Sequence, residues 1–335
     1  MESTGGQENG LNATTTAEGV PSGKPTVCFL GPVASYTHQA TLDTFPTDQF
    51  DLVPVETIKD IFDTTQSGRA SYGVVPFENS TNGSVVFTLD HFADRAGEYP
   101  DLSVCAEIYL DVHHCLLGHP PPPSPSSSPS QFSHIKRIYS HPQAFGQCRL
   151  FLQQRLPKNI ETVDVSSTSR AAELALADPS GASAAVSSAA AAKLVGLQVL
   201  ARDIEDRKDN TTRFFVLRRG FGGSGEDGVM EELLGRRSSE RERERAAPDS
   251  EHVDTIYATA RSLASFTLPL TSRPGALADV LECFRRARLN LTSISSRPSL
   301  AAPFQYVFFV EFEGHLHRDP EGRVADALES LPAGY

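Results

Sequence analysis

Short apolar runs separated by polar turns recur along the first two thirds of the chain. Residues 27–30 (Val-Cys-Phe-Leu) read as a buried strand, and Gly31-Pro32 as the turn that ends it. A helix is predicted from Ser35 or Tyr36 to about residue 45, then a strand over 51–55. Thr57 is placed to cap the helix that follows, which runs to about residue 67. Residues 72–75 form a third strand that Pro76 is expected to end, and a helix follows from near Ser84 to about 94. The segment 108–117 reads as a long strand or a crossover. Alternation then resumes, with strands at 138–140, 161–165, 184–186 and 198–201 and helices at 142–154, 168–177 and 188–195. A last strand is expected at 214–217. Strand and helix in strict alternation mark an α/β domain with a mainly parallel sheet, here as two similar halves in tandem with a return segment at 206–218.

Two stretches lack this pattern. The tract PPPPSPSSSPS at 120–130 cannot pack a core and is expected as an exposed, extended loop within the second half. Residues 219–255 begin glycine-rich and pass through RRSSERERER at 236–245, which has almost no apolar side chains and reads as a solvated linker. Glutamates interleaved with the arginines argue against a nucleic-acid arm. The pattern changes after the linker. Strands are expected at 261–270, 290–296 and 304–313, with an amphipathic helix at 275–288 and a second helix at 319–331. This β-α-β-β-α order leaves no room for a further strand before Tyr335, so an exposed sheet edge is expected unless a partner covers it.

Composition narrows the function classes. The chain has 335 residues and a formal net charge of -12, which argues against a general nucleic-acid binder and requires any anionic substrate to be drawn by a local site. Its five cysteines are scattered and read as reduced thiols of a cytosolic protein. His113-His114-Cys115 could suggest a metal, but no second Cys/His cluster has ligand spacing, and the three read as pleated strand side chains. No apolar run approaches the roughly 20 residues of a membrane span. The first 24 residues lack the features of a secretory or transit signal and are expected to be a disordered leader. No Gly-rich dinucleotide fingerprint, P-loop or metal cluster is present, so no cofactor and no metal is expected.

The most informative stretch is Asp-Asn-Thr-Thr-Arg-Phe-Phe-Val-Leu at 209–217. An amide, two hydroxyls and a guanidinium stand directly before a strand, a set suited to an organic anion that must both bind and exchange a proton. With FLGPVASYTHQA (29–40), GVVPFENSTNGSV (73–85) and IYSHPQAFGQC (138–148), it resembles, in this order, the prephenate dehydratase family. SRPGALADVLECF and NLTSISSRPS in the tail resemble that family's regulatory ACT domain. The resemblance implies an α/β catalytic core of two lobes, like a type II periplasmic binding protein, with substrate in the cleft between them. It also implies a ferredoxin-like ACT domain, here without its last strand. The implied organisation is a leader at 1–24, a catalytic domain at 25–218, a linker at 219–255 and an ACT domain at 256–335. Lobe 1 would comprise about 25–111 plus 206–218, and lobe 2 about 112–205 with the Pro/Ser loop at 119–131.

The family reaction converts prephenate to phenylpyruvate, expelling a ring hydroxyl as water and the ring carboxylate as carbon dioxide. Its catalyst must hold two carboxylates and assist the leaving hydroxyl without over-stabilising the carboxylate that departs. Helix N-termini and hydroxyls suit that task. Ser35, Ser84, Ser140, Ser167, Thr168 and Ser188 stand at strand-to-helix turns, where they either cap helices or meet a ligand. Carried over motif by motif, the resemblance implies Thr212, Asn79 and Gln147 as catalytic. It implies Ser80, Gln143, Asn210, Thr211 and Phe214 as substrate contacts, and Arg213 as either a carboxylate clamp or a lobe-bracing ion-pair partner. It implies phenylalanine as an effector at Gly275, Ala276, Leu277, Ser296, Arg297 and Pro298, in a homodimer or homotetramer. Ser295 stands where the family usually has glutamate, so weaker effector sensitivity is expected. Two rivals remain at this point: an arogenate dehydratase, and a non-catalytic amino-acid sensor.

Overall fold

The structure, a computed structural model, describes residues 23–121, 132–220, 261–269, 274–316, 319 and 321–331. Most of the expected leader, Pro/Ser loop and linker therefore lies outside the described residues.

Lobe 1 is built on a mixed sheet. Strands β1 (Thr26–Leu30), β2 (Asp51–Val55) and β3 (Tyr72–Asn79) run parallel, with β1 in the middle. Strand β4 (Gly83–Ser84) folds back on β3, and β5 (Leu102–Asp111) forms the far edge. The late strand β11 (Thr211–Arg219) inserts antiparallel between β3 and β5. Helix α1 (Tyr36–Thr44) covers one face, where Phe29, Phe45, Phe50, Tyr72, Ile108 and Phe214 pack. Helices α2 (Ile58–Gln66) and α3 (Val86–Phe92) cover the other, over Ile61, Phe62, Phe77 and Phe215. Helix α2 starts where the sequence placed it, because Thr57 and Asp60 close a reciprocal capping box.

Pro76 does not end β3. The strand runs through it, and the register against β11 slips there, so that Phe214 opposes Pro76 while Arg213 opposes Glu78. A bulge tolerates the missing proline N–H. Strand β5 also begins earlier than expected, because Ser103 and Glu107 interrupt the apolar run without breaking the ladder to β11. At β3 the close packing of α2 admits only glycine. A Cβ on Gly73 would lie 2.5 Å from Thr65 Oγ1 and 2.6 Å from Ile61 Cγ2. Gly73→Ala is therefore expected to cost about 1–3 kcal/mol, read as a lower urea midpoint at unchanged slope.

Lobe 2 has the sheet order β10 (Gln198–Ala201), β6 (Cys115–Gly118), β9 (Ser183–Ser187), β7 (Arg137–Ser140), β8 (Glu161–Asp164). Helices α4 (Pro142–Gln147), α5 (Arg149–Arg155), α6 (Thr168–Leu176) and α7 (Ala189–Val195) complete it. The expected single helix over 142–154 is two, broken at Cys148, whose φ of -119° and ψ of 21° leave the helical region. Ala171, Ala172, Ala175, Ala191 and Ala192 let α6 and α7 approach the sheet closely, and Ala34 of lobe 1 packs into the same cluster.

The C-terminal domain is a three-stranded antiparallel sheet in the order β12 (Arg261–Thr267), β14 (Tyr306–Glu313), β13 (Leu291–Pro298), with helices α8 (Ala276–Arg286) and α9 (Arg323–Glu329). Alternation along β14 serves both faces. Phe308, Val310 and Phe312 meet the helices, while Val307 and Phe309 join the lobe 1 cluster of Phe62, Phe77 and Phe215. The whole is the α/β core of two lobes plus small antiparallel domain that the sequence predicted. None of the five cysteines is in a disulfide, and among the described residues no helix is long and apolar enough to cross a membrane.

Candidate active site

The chain passes between the lobes twice, at 112–114 going out and at 202–210 coming back. The two crossings are tied by backbone bonds from Val112 N to Asn210 O (2.7 Å) and from Ile204 N to His114 O (3.0 Å). Beside them lies a cavity of about 310 Å3, a size suited to a small ligand. Thr81 and Asn82 of lobe 1, Gln143, Gly146 and Gln147 of lobe 2, and Glu205, Asp206, Arg207 and Asn210 of the return crossing line it.

One polar network runs through its wall. Asn79 Oδ1 accepts the backbone N–H groups of Thr81 and Asn82, both at 3.0 Å. That turn fixes which end of the carboxamide faces inward. Its Nδ2 then donates to Asn210 Oδ1 and to Thr212 Oγ1, each at 2.9 Å. Asn210, buried at 2% exposure, donates from Nδ2 to Gln147 Oε1 at 3.1 Å. Gln147 Oε1 also meets His114 Nε2 at 2.7 Å, and His114 Nδ1 meets the Tyr36 hydroxyl at 2.8 Å. Asn79 and Thr212 do not line the cavity. Both are half-buried: Asn79 stands one hydrogen bond behind Asn210 in its lobe 1 wall, and Thr212 one further, behind Asn79.

The residues expected at the site thus separate into groups. Asn79, Thr212, Asn210 and Gln147 come together, and Gln143 faces the same cavity. Ser80 buttresses them: its Oγ donates to Asp209 O and accepts Thr211 N, while Thr211 Oγ1 donates to Asp111. Ser35, Ser167 and Ser188 turn out to be helix caps, accepting the N–H groups of His38, Arg170 and Ala191. Ser35 also donates to Leu30 O, so its hydroxyl proton is spent on the backbone. Thr168 opens α6 half-exposed, and Ser84 lies half-exposed in β4 opposite Glu78.

Three expectations are corrected. Ser140 is fully buried and donates to Val186 O inside the lobe 2 sheet, so it offers no hydroxyl to a ligand. Phe214 is 1% exposed in the core beneath α1, one strand step too deep to reach the cleft. Arg213 points away from the cleft. Its guanidinium donates to Glu107 and to Glu311 of the C-terminal domain, both at 2.7 Å, and stacks over Phe77, Tyr109 and Phe215. Burial opposes its charge, but the Glu311 hydrogen bond and the Glu107 carboxylate outweigh it and raise its pKa. Arg213 therefore pairs lobe 1 with the C-terminal domain, and not one lobe with the other. The cation that does line the cavity is Arg207, paired with Asp209 on the surface. Its position in a polar crossing gave no periodic signal.

His114, Tyr36 and Glu205 were also missed. Glu205 accepts His114 N at 2.8 Å and His113 Nδ1 at 2.9 Å, and that carboxylate raises the His113 pKa. With Asp203, this group brings three potential ligand atoms within 4.8 Å of one another. Its carboxylate and imidazole already satisfy each other, and we read it as an ion-pair anchor of the crossing. In the C-terminal domain Gly275 precedes α8 at φ 93°, a conformation that favours glycine, and Ala276 is buried beside half-buried Leu277. On β13, Ser296 and Pro298 are exposed, while Arg297 makes a two-pronged pair with Asp90 of α3 at 2.8 and 2.9 Å.

Comparison with known proteins adds independent evidence. Residues 27–220 match the model of the family described as prephenate dehydratase. A bifunctional chorismate mutase/prephenate dehydratase of Aquifex aeolicus is 34% identical over 305 residues, covering 91% of this chain and 69% of that protein. The structure of an Arthrobacter aurescens prephenate dehydratase, described as a complex with L-Phe, superimposes with a TM-score of 0.68 at 30% identity, covering 91% of this chain and 85% of that one. A structure described as a novel type of quorum quenching acylase superimposes with a TM-score of 0.67 at 25% identity, covering 91% and 92%, so the fold alone does not fix an activity. The family match, spanning both lobes and the polar network between them, shows that this chain belongs to the prephenate dehydratase family of hydro-lyases.

Proposed function

We propose that the chain is a prephenate dehydratase, forming phenylpyruvate from prephenate. The observation that carries this reading is the fixed Asn79–Thr212 pair. Because Asn79 Nδ2 occupies the Thr212 oxygen as a donor, the Thr212 hydroxyl keeps its own proton for another acceptor, and it has none among the described residues. Thr212 lies behind the cavity lining, so the substrate must reach past Asn210; a prephenate ring hydroxyl so placed receives that hydrogen bond as its C–O bond breaks. The electrons come from the ring carboxylate as carbon dioxide leaves, and the departing oxygen takes up a proton to become water. Asn210 and Gln147 offer polar contacts to the substrate, and Arg207 takes the carboxylate role that Arg213 cannot fill. Its pair with Asp209 is exposed and exchangeable. Little in this arrangement would stabilise the ring carboxylate, which favours its loss. In the same reading phenylalanine is an effector of the C-terminal domain, supported by the L-Phe complex of the Arthrobacter relative. The protein would act in the cytosol as a dimer or tetramer, without a cofactor.

The test is phenylpyruvate formation by purified protein supplied with prephenate, with arogenate assayed in parallel. Phenylpyruvate from prephenate is expected. Phenylalanine from arogenate alone would make the protein an arogenate dehydratase, and no turnover of either by folded protein would favour the sensor.

A further inference from the structure

Gln147 is fixed from two sides. Its Oε1 takes hydrogen bonds from Asn210 Nδ2 on the return crossing and meets His114 Nε2 on the outward crossing. An oxygen that accepts from Asn210 is an acceptor for His114 as well, so the imidazole carries its proton on Nε2. The Tyr36 hydroxyl, from α1 of lobe 1, lies 2.8 Å from His114 Nδ1 and 3.2 Å from His113 O, and the unprotonated Nδ1 is the nearer acceptor. With Oε1 doubly held, the Gln147 NH2 group is forced to the opposite side. It has no partner among the described residues, and Gln147 lines the cavity. We propose that His114 is a positioning residue: held by Tyr36 in its Nε2–H form, it orients the Gln147 carboxamide so that the NH2 group faces the bound substrate. This rests on the reading of Gln147 as a substrate contact.

Several features support it. His114 is 2% exposed, and burial lowers its pKa, so the ring stays neutral and Nδ1 stays free to accept. Burial likewise keeps Tyr36 protonated. The titratable groups that act on the ring are Tyr36 on α1, Glu205 on the return crossing and His113 beside it, while the buried Cys115 and Cys148 act on Tyr36. Glu205 spends its oxygens on His114 N and His113 Nδ1, leaving the His114 ring to Tyr36 and Gln147 alone. Without His114, only Asn210 would hold Oε1, and the carboxamide could turn.

The experiment has two parts. The first needs no substrate: nitrogen NMR of histidine-labelled full-length protein should show His114 neutral and protonated on Nε2 at pH 7. A ring protonated on Nδ1 overturns the proposal whatever the reaction proves to be. The second is kinetic, with prephenate. His114→Leu should lower kcat by about 10- to 100-fold with KM changed less than about threefold, the scale of a misplaced donor. His114→Gln, whose amide can donate from nearly the same position, should recover most of that loss. In a Gln147→Ala background, adding His114→Leu should change kcat by less than about twofold, because the effect runs through Gln147. Penalties that multiply in the double variant, or a His114→Gln protein as impaired as His114→Leu at equal thermal stability, would overturn it. A Gln147→Ala enzyme as active as the parent would instead remove the reading of Gln147 on which the proposal stands.

Discussion

Replacing Thr212 with valine is expected to lower kcat for phenylpyruvate formation by about a thousandfold, within the roughly 10²–10⁴ range of a lost proton-transfer or oxyanion-type donor. Valine has nearly the same shape and the same preference for a strand, so β11 keeps its pairing of Thr212 with Leu110 and Asn79 through the backbone. Only the hydroxyl goes. Asn79 loses one acceptor but retains Asn210 Oδ1, so the site is not left with an orphaned amide. The serine variant keeps the hydroxyl and should stay within about tenfold of the parent, a loss attributable to freer rotation of the unbranched side chain. Steady-state kinetics on the three proteins, beside their thermal unfolding curves, decide the matter. A valine enzyme within tenfold of the parent at equal stability would take the chemistry away from Thr212.

The second large effect concerns cohesion. Arg213 and Glu311 join lobe 1 to the C-terminal sheet, with side-chain exposures of only 8% and 3%. Arg261 at 3.2 Å and Thr292 complete the Glu311 oxygens. Arg213→Met should cost about 3–5 kcal/mol, because it leaves the buried Glu311 carboxylate with Arg261 as its one counter-charge among the described residues. The double variant Arg213→Met/Glu311→Met should be clearly more stable than the single one, since two apolar chains of similar volume beside Phe77, Phe215 and Phe309 strand no buried charge in the interface. Glu107 and Arg261, each about one third exposed, can then turn to water. Urea midpoints of the variants would show it. A double variant less stable than Arg213→Met would mean that the ion pair itself, and not the avoidance of an unpaired charge, holds the domains together.

These two neighbours show what could be read from the chain and what could not. The polar cluster before an apolar strand was visible at 209–217 because turn residues and strand residues differ in kind. The alternation of the strand also makes Thr212 and Arg213 face opposite ways, which the sequence alone does contain. What it lacks is the knowledge of what lies on each side. Glu311 is 98 residues away in another domain, and no local spacing announces it. Phe214 shares a face with Thr212, yet α1 covers the sheet one step along, and only packing reveals where cleft ends and core begins. His114 fits a pleated strand equally well until Tyr36, 78 residues before it, and Gln147, 33 residues after it, close around its ring. Pro76 misled because proline stops a regular ladder, whereas a bulge had already made room for it. Elements were legible where local chemistry dictates them, and partners were not where the fold supplies them from a distance.

The threading of the sheet also sets an order for synthesis. Strand β5 meets its sheet only through β11, and all five strands of lobe 2 are made between them. A nascent chain therefore carries β5 with no neighbour to pair with while about a hundred residues are added, long enough for lobe 2 to close as a unit first. The lobe that begins the chain is the one finished last. Until β11 emerges, β3 and β5 each offer a bare edge, and that interval is when a chaperone would be most needed and when pairing with a neighbouring nascent chain would be most costly.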